Sequence, residues 1–121
     1  MHNRDSRIFV FGSNLAGMHG AGAAAHAARY HGAEKGVGEG RTGSSYAIPT
    51  KDSHVRVRSL PAIEVAVVRF LCYAQDHSEL EFDVTRVGCG LAGYRDEAIA
   101  PLFRDAPSNC NLPHGWRDEY R

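Results

Sequence analysis

The sequence predicts an α/β fold in which helices pack on a mostly parallel central sheet. Two observations carry that expectation. Short β-branched and aromatic runs alternate with helix-forming runs, in the order β-α-β-α-β-α with a short last strand. Glycines gather where the first and third strands hand over to helices: Gly12, Gly17, Gly20 and Gly22, then Gly88, Gly90 and Gly93. In a parallel sheet both of those connections emerge at the carboxyl edge of the strands.

The elements follow in order. "RIFVFG" (Arg7 to Gly12) is short, β-branched and aromatic, and reads as a buried strand. "SNLAGMHGAG" is a loop, and "AAAHAARYHG" (Ala23 to Gly32) is a helix of strong formers with Gly32 where a C-terminal cap belongs. "AEKGVGEGRTGSS" is a long glycine-rich loop, expected to fold over a ligand as a flap; it carries Glu39. "YAIPT" is a short strand stopped by Pro49. "LPAIEVAVVRFLCYAQDH" places Ile63, Val67, Phe70, Leu71 and Ala74 at helical spacing, with Pro61 suited to the first turn. "LEFDVTRVG" alternates Leu80, Phe82 and Val84 as a third strand. "YRDEAIAPLFRDA" is a third helix with Asp96 and Glu97 in its first turn, where the helix dipole favours them. Pro101 inside it must bend it or mark its real start. "NCNLPHGW" supplies the last short strand.

Composition excludes several classes. A chain of 121 residues suits one domain, 1–121, and 43% apolar with 23% charged residues is ordinary for a soluble globular protein. The formal net charge is zero, so no basic excess points to nucleic acid or an anionic membrane, and neither is expected as a partner. No apolar run reaches the length of a transmembrane span, and "MHNRDSRIF" lacks a signal-peptide core. The cysteines, Cys72, Cys89 and Cys110, are odd in number and form no C-x-x-C; the histidines show no metal-ligand spacing. The expectation is a reduced, cytoplasmic protein without a metal or cofactor, whose cysteines are small buried hydrophobes.

The two glycine loops bring backbone N–H groups and helix N-termini to one edge, an arrangement that suits an anion. "VGCGLAGY" spells G-x-G-x-x-G, but that dinucleotide fingerprint belongs to the first strand-to-helix turn with a βαβ unit after it. Here it follows the third strand. No G-K-[ST] is present, so the loop is not a P-loop either.

The combination resembles a macrodomain, a family that binds ADP-ribose and its derivatives at the carboxyl edge of the strands. "GSNLAGMHGAGAAAHAA" is similar to the family's first loop, with Asn14 in its asparagine place, and "GCGLAGY" is similar to its second. "YAIPTKD" before a long helix resembles the branch containing terminal ADP-ribose protein glycohydrolase and the yeast-type ADP-ribose-1″-phosphate phosphatases. The closest look is to small phage-encoded macro-like proteins. The resemblance runs from Phe9 to Trp116. It implies a truncated three-layer α/β/α architecture with ADP-ribose or a related nucleotide between the loops. The implied ligand-binding residues are Asn14, Gly20, Ala21, Gly22, Gly88, Cys89, Gly90, Leu91, Ala92, Gly93 and Tyr94. Three departures stand out. Ala92 occupies the position where the glycohydrolase branch carries a catalytic aspartate; the family's earlier strands and adenine-binding aspartate are not expected ahead of the first strand; and His19 and His26 are additional.

Individual residues carry alternatives. The Asn14 amide either reads ribose hydroxyls or makes a local turn. His19 either acts as a general acid or is an ordinary loop histidine. Lys51 reaches a phosphate, attacks an anomeric carbon, or is solvated. Asp96 is a fallback acid/base or a first-turn helix stabiliser. Tyr94 stacks on the ligand or packs beneath the loop. His19, Lys51 and Asp96 are therefore the catalytic candidates. Three functions follow: an ADP-ribose binder that hydrolyses a 1″-phosphate or an ADP-ribosyl bond; a non-catalytic binder that sequesters or senses an NAD-derived nucleotide; and a ligand-free protein-interaction domain, its protein partner unspecified.

Overall fold

A computed structural model describes residues 6–119. Five strands form one sheet: β1 (Arg7–Asn14), β2 (Gly40–Thr42), β3 (Ser45–Lys51), β4 (Glu81–Val84) and β5 (Cys110–Asn111), in the order β2-β3-β1-β4-β5. β1 pairs in parallel with β3 and β4, and β4 with β5; β2 alone is antiparallel, against β3. The helices among the described residues are α1 (Gly22–Tyr30), α2 (Leu60–Asp76) and α3 (Asp96–Ile99), and α3 runs into a 3₁₀ turn at Ala100–Phe103. This is a mixed α/β fold on a mostly parallel sheet. None of the described helices is long and apolar enough to cross a membrane.

Strand alternation sorts the core into two faces. Ile8 and Val10 of β1, Tyr46 and Ile48 of β3, and Phe82 and Val84 of β4 join the larger cluster with Ile63, Val67 and Phe70 of α2 and with Ile99, Phe103 and Trp116. Phe11 and Ala47, one residue out of phase, meet Ala24 and Ala27 of α1 on the other face. The alanines of α1 let that helix sit close to the sheet. Ser59 caps α2 by accepting the Ala62 amide at 3.4 Å, and Pro61 lies in its first turn as expected. α1 ends at Tyr30, with Gly32 just beyond at φ +73°, the left-handed conformation that suits a glycine C-cap.

Several boundaries differ from the sequence expectation. The long glycine-rich loop contains β2, joined to β3 by a two-residue turn at Gly43 and Ser44. Pro49 does not stop β3, which continues to Lys51. β2 pairs only as far as Ala47, so at Pro49 one side of β3 has no neighbouring strand and a missing N–H costs no ladder bond there. The third helix is one turn of α-helix, because Pro101 cannot continue it and sits in the 3₁₀ turn instead. Of the cysteines, Cys110 is buried and Cys89 half-buried, but Cys72 is exposed on α2.

Candidate functional site

From β1 the chain crosses to β3 on one side, then returns past β1 to β4 on the other. The loop after β1 therefore leads to α1 on one face, and the loop after β4 leads toward α3 on the opposite face. Where two such loops diverge, a crevice opens at the carboxyl ends of the strands. That crevice is a cleft of about 650 Å³, lined by Gly12, Asn14 and Gly20–Ala24 from the first loop and by Thr85–Ala92 from the second, with Lys51 and Val55 after β3. Its size is ordinary for a small-ligand site.

Backbone groups dominate its walls. In the first loop and the start of α1, the amides of Gly20, Ala21, Gly22 and Ala23 have no hydrogen-bond partner among the described residues, and Ala21 at the N-cap offers no capping side chain. In the second loop, turns use the amides of Cys89, Gly93 and Tyr94, which donate to the carbonyls of Arg86, Gly90 and Gly88. The amides of Gly90, Leu91 and Ala92 have no partner among the described residues. Two sets of available donors thus flank one cleft, one at the N-terminus of a helix.

The charged side chains that line the cleft are Lys51 and Arg86, both cationic; no carboxylate lines it. Arg86 is fixed by Asp96, with Nε to Oδ1 and Nη2 to Oδ2 both at 3.0 Å, and the Trp116 indole donates to Asp96 Oδ1 at 3.1 Å. The Arg86 hydrogen bonds, with help from Trp116, hold the Asp96 carboxyl below its ordinary value of 3.8. Because that value is depressed on folding, the clamp contributes stability above pH 3.8 that is lost as pH falls through the lower folded-state value. Asp96→Asn is expected to lower the melting temperature at pH 7 and to flatten the acid limb of the stability profile; an unchanged acid limb would show that the clamp does not contribute.

Asn14, Gly20, Ala21, Gly22, Gly88, Cys89, Gly90, Leu91, Ala92 and Lys51 come together around the cleft. Four do not line it. His19 turns away: its ring stands edge-on to Phe11, and Nε2 lies 3.1 Å from the Glu34 carbonyl. Asp96 stands behind Arg86 as an ion-pair partner. Gly93 closes the turn with φ +85°. Tyr94 packs on the larger core cluster and donates its hydroxyl to the Arg58 carbonyl at 2.6 Å, so it supports the loop from below.

Asn14 is buried and braces the first loop. Its Nδ2 donates to the Met18 carbonyl at 2.8 Å, and its Oδ1 accepts the Met18 amide at 3.0 Å. This is the local-turn role, and it leaves one N–H and one lone pair of the amide for a ligand. Cys89 is no nucleophile at neutral pH: burial pushes its thiol up to about 11, and the charge of Asp96 adds to the shift.

The expected flap is absent. Residues 33–39 pack behind the first loop, where Gly38 lies against the Asn14 and Leu15 backbone and its carbonyl accepts Ser13 Oγ. None of them lines the cleft, and Glu39 is paired with Arg69 at 2.6 Å. Sequence reasoning missed Arg86 and Val55. Arg86 had a legible signal, a basic residue two positions before the second glycine loop.

The chain matches no family model, and neither a curated protein nor a solved structure matches it.

Proposed function

We propose that the cleft binds ADP-ribose or a related nucleotide, with the pyrophosphate gripped between the two glycine loops. The observation that carries this reading is the charge of the lining: Lys51 and the Asp96-paired Arg86 line the cleft and no carboxylate does. Available backbone amides on both walls supply the directional donors an anion needs. Helices on both faces of the sheet fit the macrodomain-like three-layer arrangement that the sequence resembles, and this assignment belongs to the same proposal.

Binding without turnover is the version the geometry favours. A general acid or base must lie within hydrogen-bond reach of the reacting atoms. Of the catalytic candidates His19, Lys51 and Asp96, Lys51 lines the cleft and the other two do not. The domain then sequesters or senses an NAD-derived nucleotide.

Thermal melts with ADP-ribose, its 1″-phosphate, NAD, ADP and AMP test this. A ligand at about 100 times its dissociation constant stabilises the native state by about 2.7 kcal/mol. The expected result is a clear upward shift with ADP-ribose, reduced in Lys51→Ala, and no phosphate released from the 1″-phosphate on prolonged incubation. No shift with any nucleotide would contradict the proposal and favour a ligand-free interaction domain.

A further inference from the structure

The mouth of the cleft differs chemically from its floor. Three large apolar side chains line it while remaining open to solvent: Met18 at 57% exposure, Val55 at 47% and Leu91 at 69%. They come from three separate loops, after β1, β3 and β4, so no single amphipathic element explains their grouping. Leu91 reaches across toward the first loop, where a β-carbon placed on Gly22 would lie 3.5 Å from its Cδ1.

Val55 carries the strongest signal. It is the one non-glycine residue with positive φ, +62°, among the described residues. A β-branched side chain in that region is strained, and such strain persists only where the surroundings impose it. Here they do. Asp52 Oδ1 accepts the amides of His54 and Arg56 at 2.8 and 2.9 Å, and the Asp52 amide donates to the Arg56 carbonyl at 2.7 Å. The Val55 amide closes the turn on the Asp52 carbonyl at 3.0 Å. The turn 52–56 thus holds an apolar side chain, against its own preference, at the mouth of a cationic cleft.

The neutral polar side chains lining the cleft are engaged with backbone. Ser13 donates to the Gly38 carbonyl and Thr85 donates to the Val10 carbonyl at 2.8 Å; Asn14 spends one N–H and one lone pair on Met18 and is buried, unlike the exposed rim residues. The rim residues Met18, Val55 and Leu91 have no side-chain donor or strong acceptor with which to read the edge of a ring.

Resting on the nucleotide reading above, we propose that Met18, Val55 and Leu91 form a nucleobase subsite that grips the flat face of the base without reading its identity. The cleft then selects for a pyrophosphate carrying any base. A site that hydrogen-bonds a ligand edge rejects an analogue lacking the match by orders of magnitude, whereas apolar contact discriminates weakly.

The experiment is calorimetric titration of the full chain with ADP, GDP, CDP, UDP and inorganic pyrophosphate. The expected result is dissociation constants for the four nucleotides within about threefold of one another, all tighter than pyrophosphate. Met18→Ser and Val55→Asn should each weaken the four nucleotides by about tenfold and leave pyrophosphate unchanged. Val55→Asn should also raise the melting temperature, because asparagine tolerates left-handed backbone. A preference of about a hundredfold for one base would overturn the proposal. So would nucleotides binding no tighter than pyrophosphate, an outcome that leaves the anion site intact. Absence of binding by every probe would overturn the anion site as well.

Discussion

Gly90→Glu is expected to abolish nucleotide binding and leave the fold intact. A β-carbon at Gly90 meets nothing within 4 Å, and its φ lies outside the left-handed region. The fold therefore sets no steric demand for glycine at this position, although the residue lines the cleft beside Leu91 and Ala92. In the proposed function, a carboxylate placed there would face the bound anion beside Lys51 and Arg86. Like-charge juxtaposition at a binding surface costs several kcal/mol, so affinity should fall about a hundredfold or more. Gly88, two residues earlier, is the internal contrast. It has φ +77°, and an added β-carbon would lie 3.1 Å from Ile99 Cδ1. Gly88→Ala should lower the melting temperature through strain and crowding. Circular dichroism melts read beside ADP-ribose titrations separate the two glycines. Equal loss of stability in both variants would mean that the loop needs glycine only to turn.

Phe70→Ala is the substitution with the largest expected cost to the fold. Phe70 is fully buried on α2, with ring centroids 5.0 Å from Tyr46 and 5.4 Å from Phe82. It holds α2 to β3 and β4 at once. Truncating a buried phenylalanine costs about 3–5 kcal/mol, against a total of about 5–15 kcal/mol for a typical domain. Urea unfolding should show that loss as a lowered midpoint. Lys51 and Arg86 extend from the ends of those same strands, so the variant should also bind more weakly than its residual folded fraction predicts. An unfolding free energy within about 1 kcal/mol of the native protein's would show that this core relaxes around the cavity.

The parallel sheet was legible because its longer strands are short apolar or alternating runs separated by helix formers. "RIFVFG", "LEFDV" and the long apolar periodicity of α2 each state their role locally. β2 was not legible: "GRT" sits among glycines, and its pairing comes from the turn at Gly43 and Ser44 rather than from its own composition. Pro49 misled for a related reason, since whether proline ends a strand depends on the neighbour beside it.

The site divides in the same way. The glycine loops and Lys51 could be placed because strand polarity alone sends those segments to one edge. The orientation of a loop side chain is not encoded locally, so His19 and Tyr94 were expected at the cleft and instead pack on Phe11 and beside Arg58. Arg86 lies just beyond β4 as a basic residue two positions before the second glycine loop, and the fork to Asp96 fixes its side chain at the cleft. Val55 gave no sequence signal, because positive φ at a β-branched residue runs against every local preference.

A ¹⁵N-amide chemical-shift titration with ADP-ribose shows whether the ligand enters this cleft. Shifts should concentrate at Gly20–Ala24 and at Gly88–Ala92, with Lys51 and Val55 moving and β2 and the Glu39 region unaffected. Shifts confined to another face, or none at millimolar ADP-ribose, would contradict the proposed site.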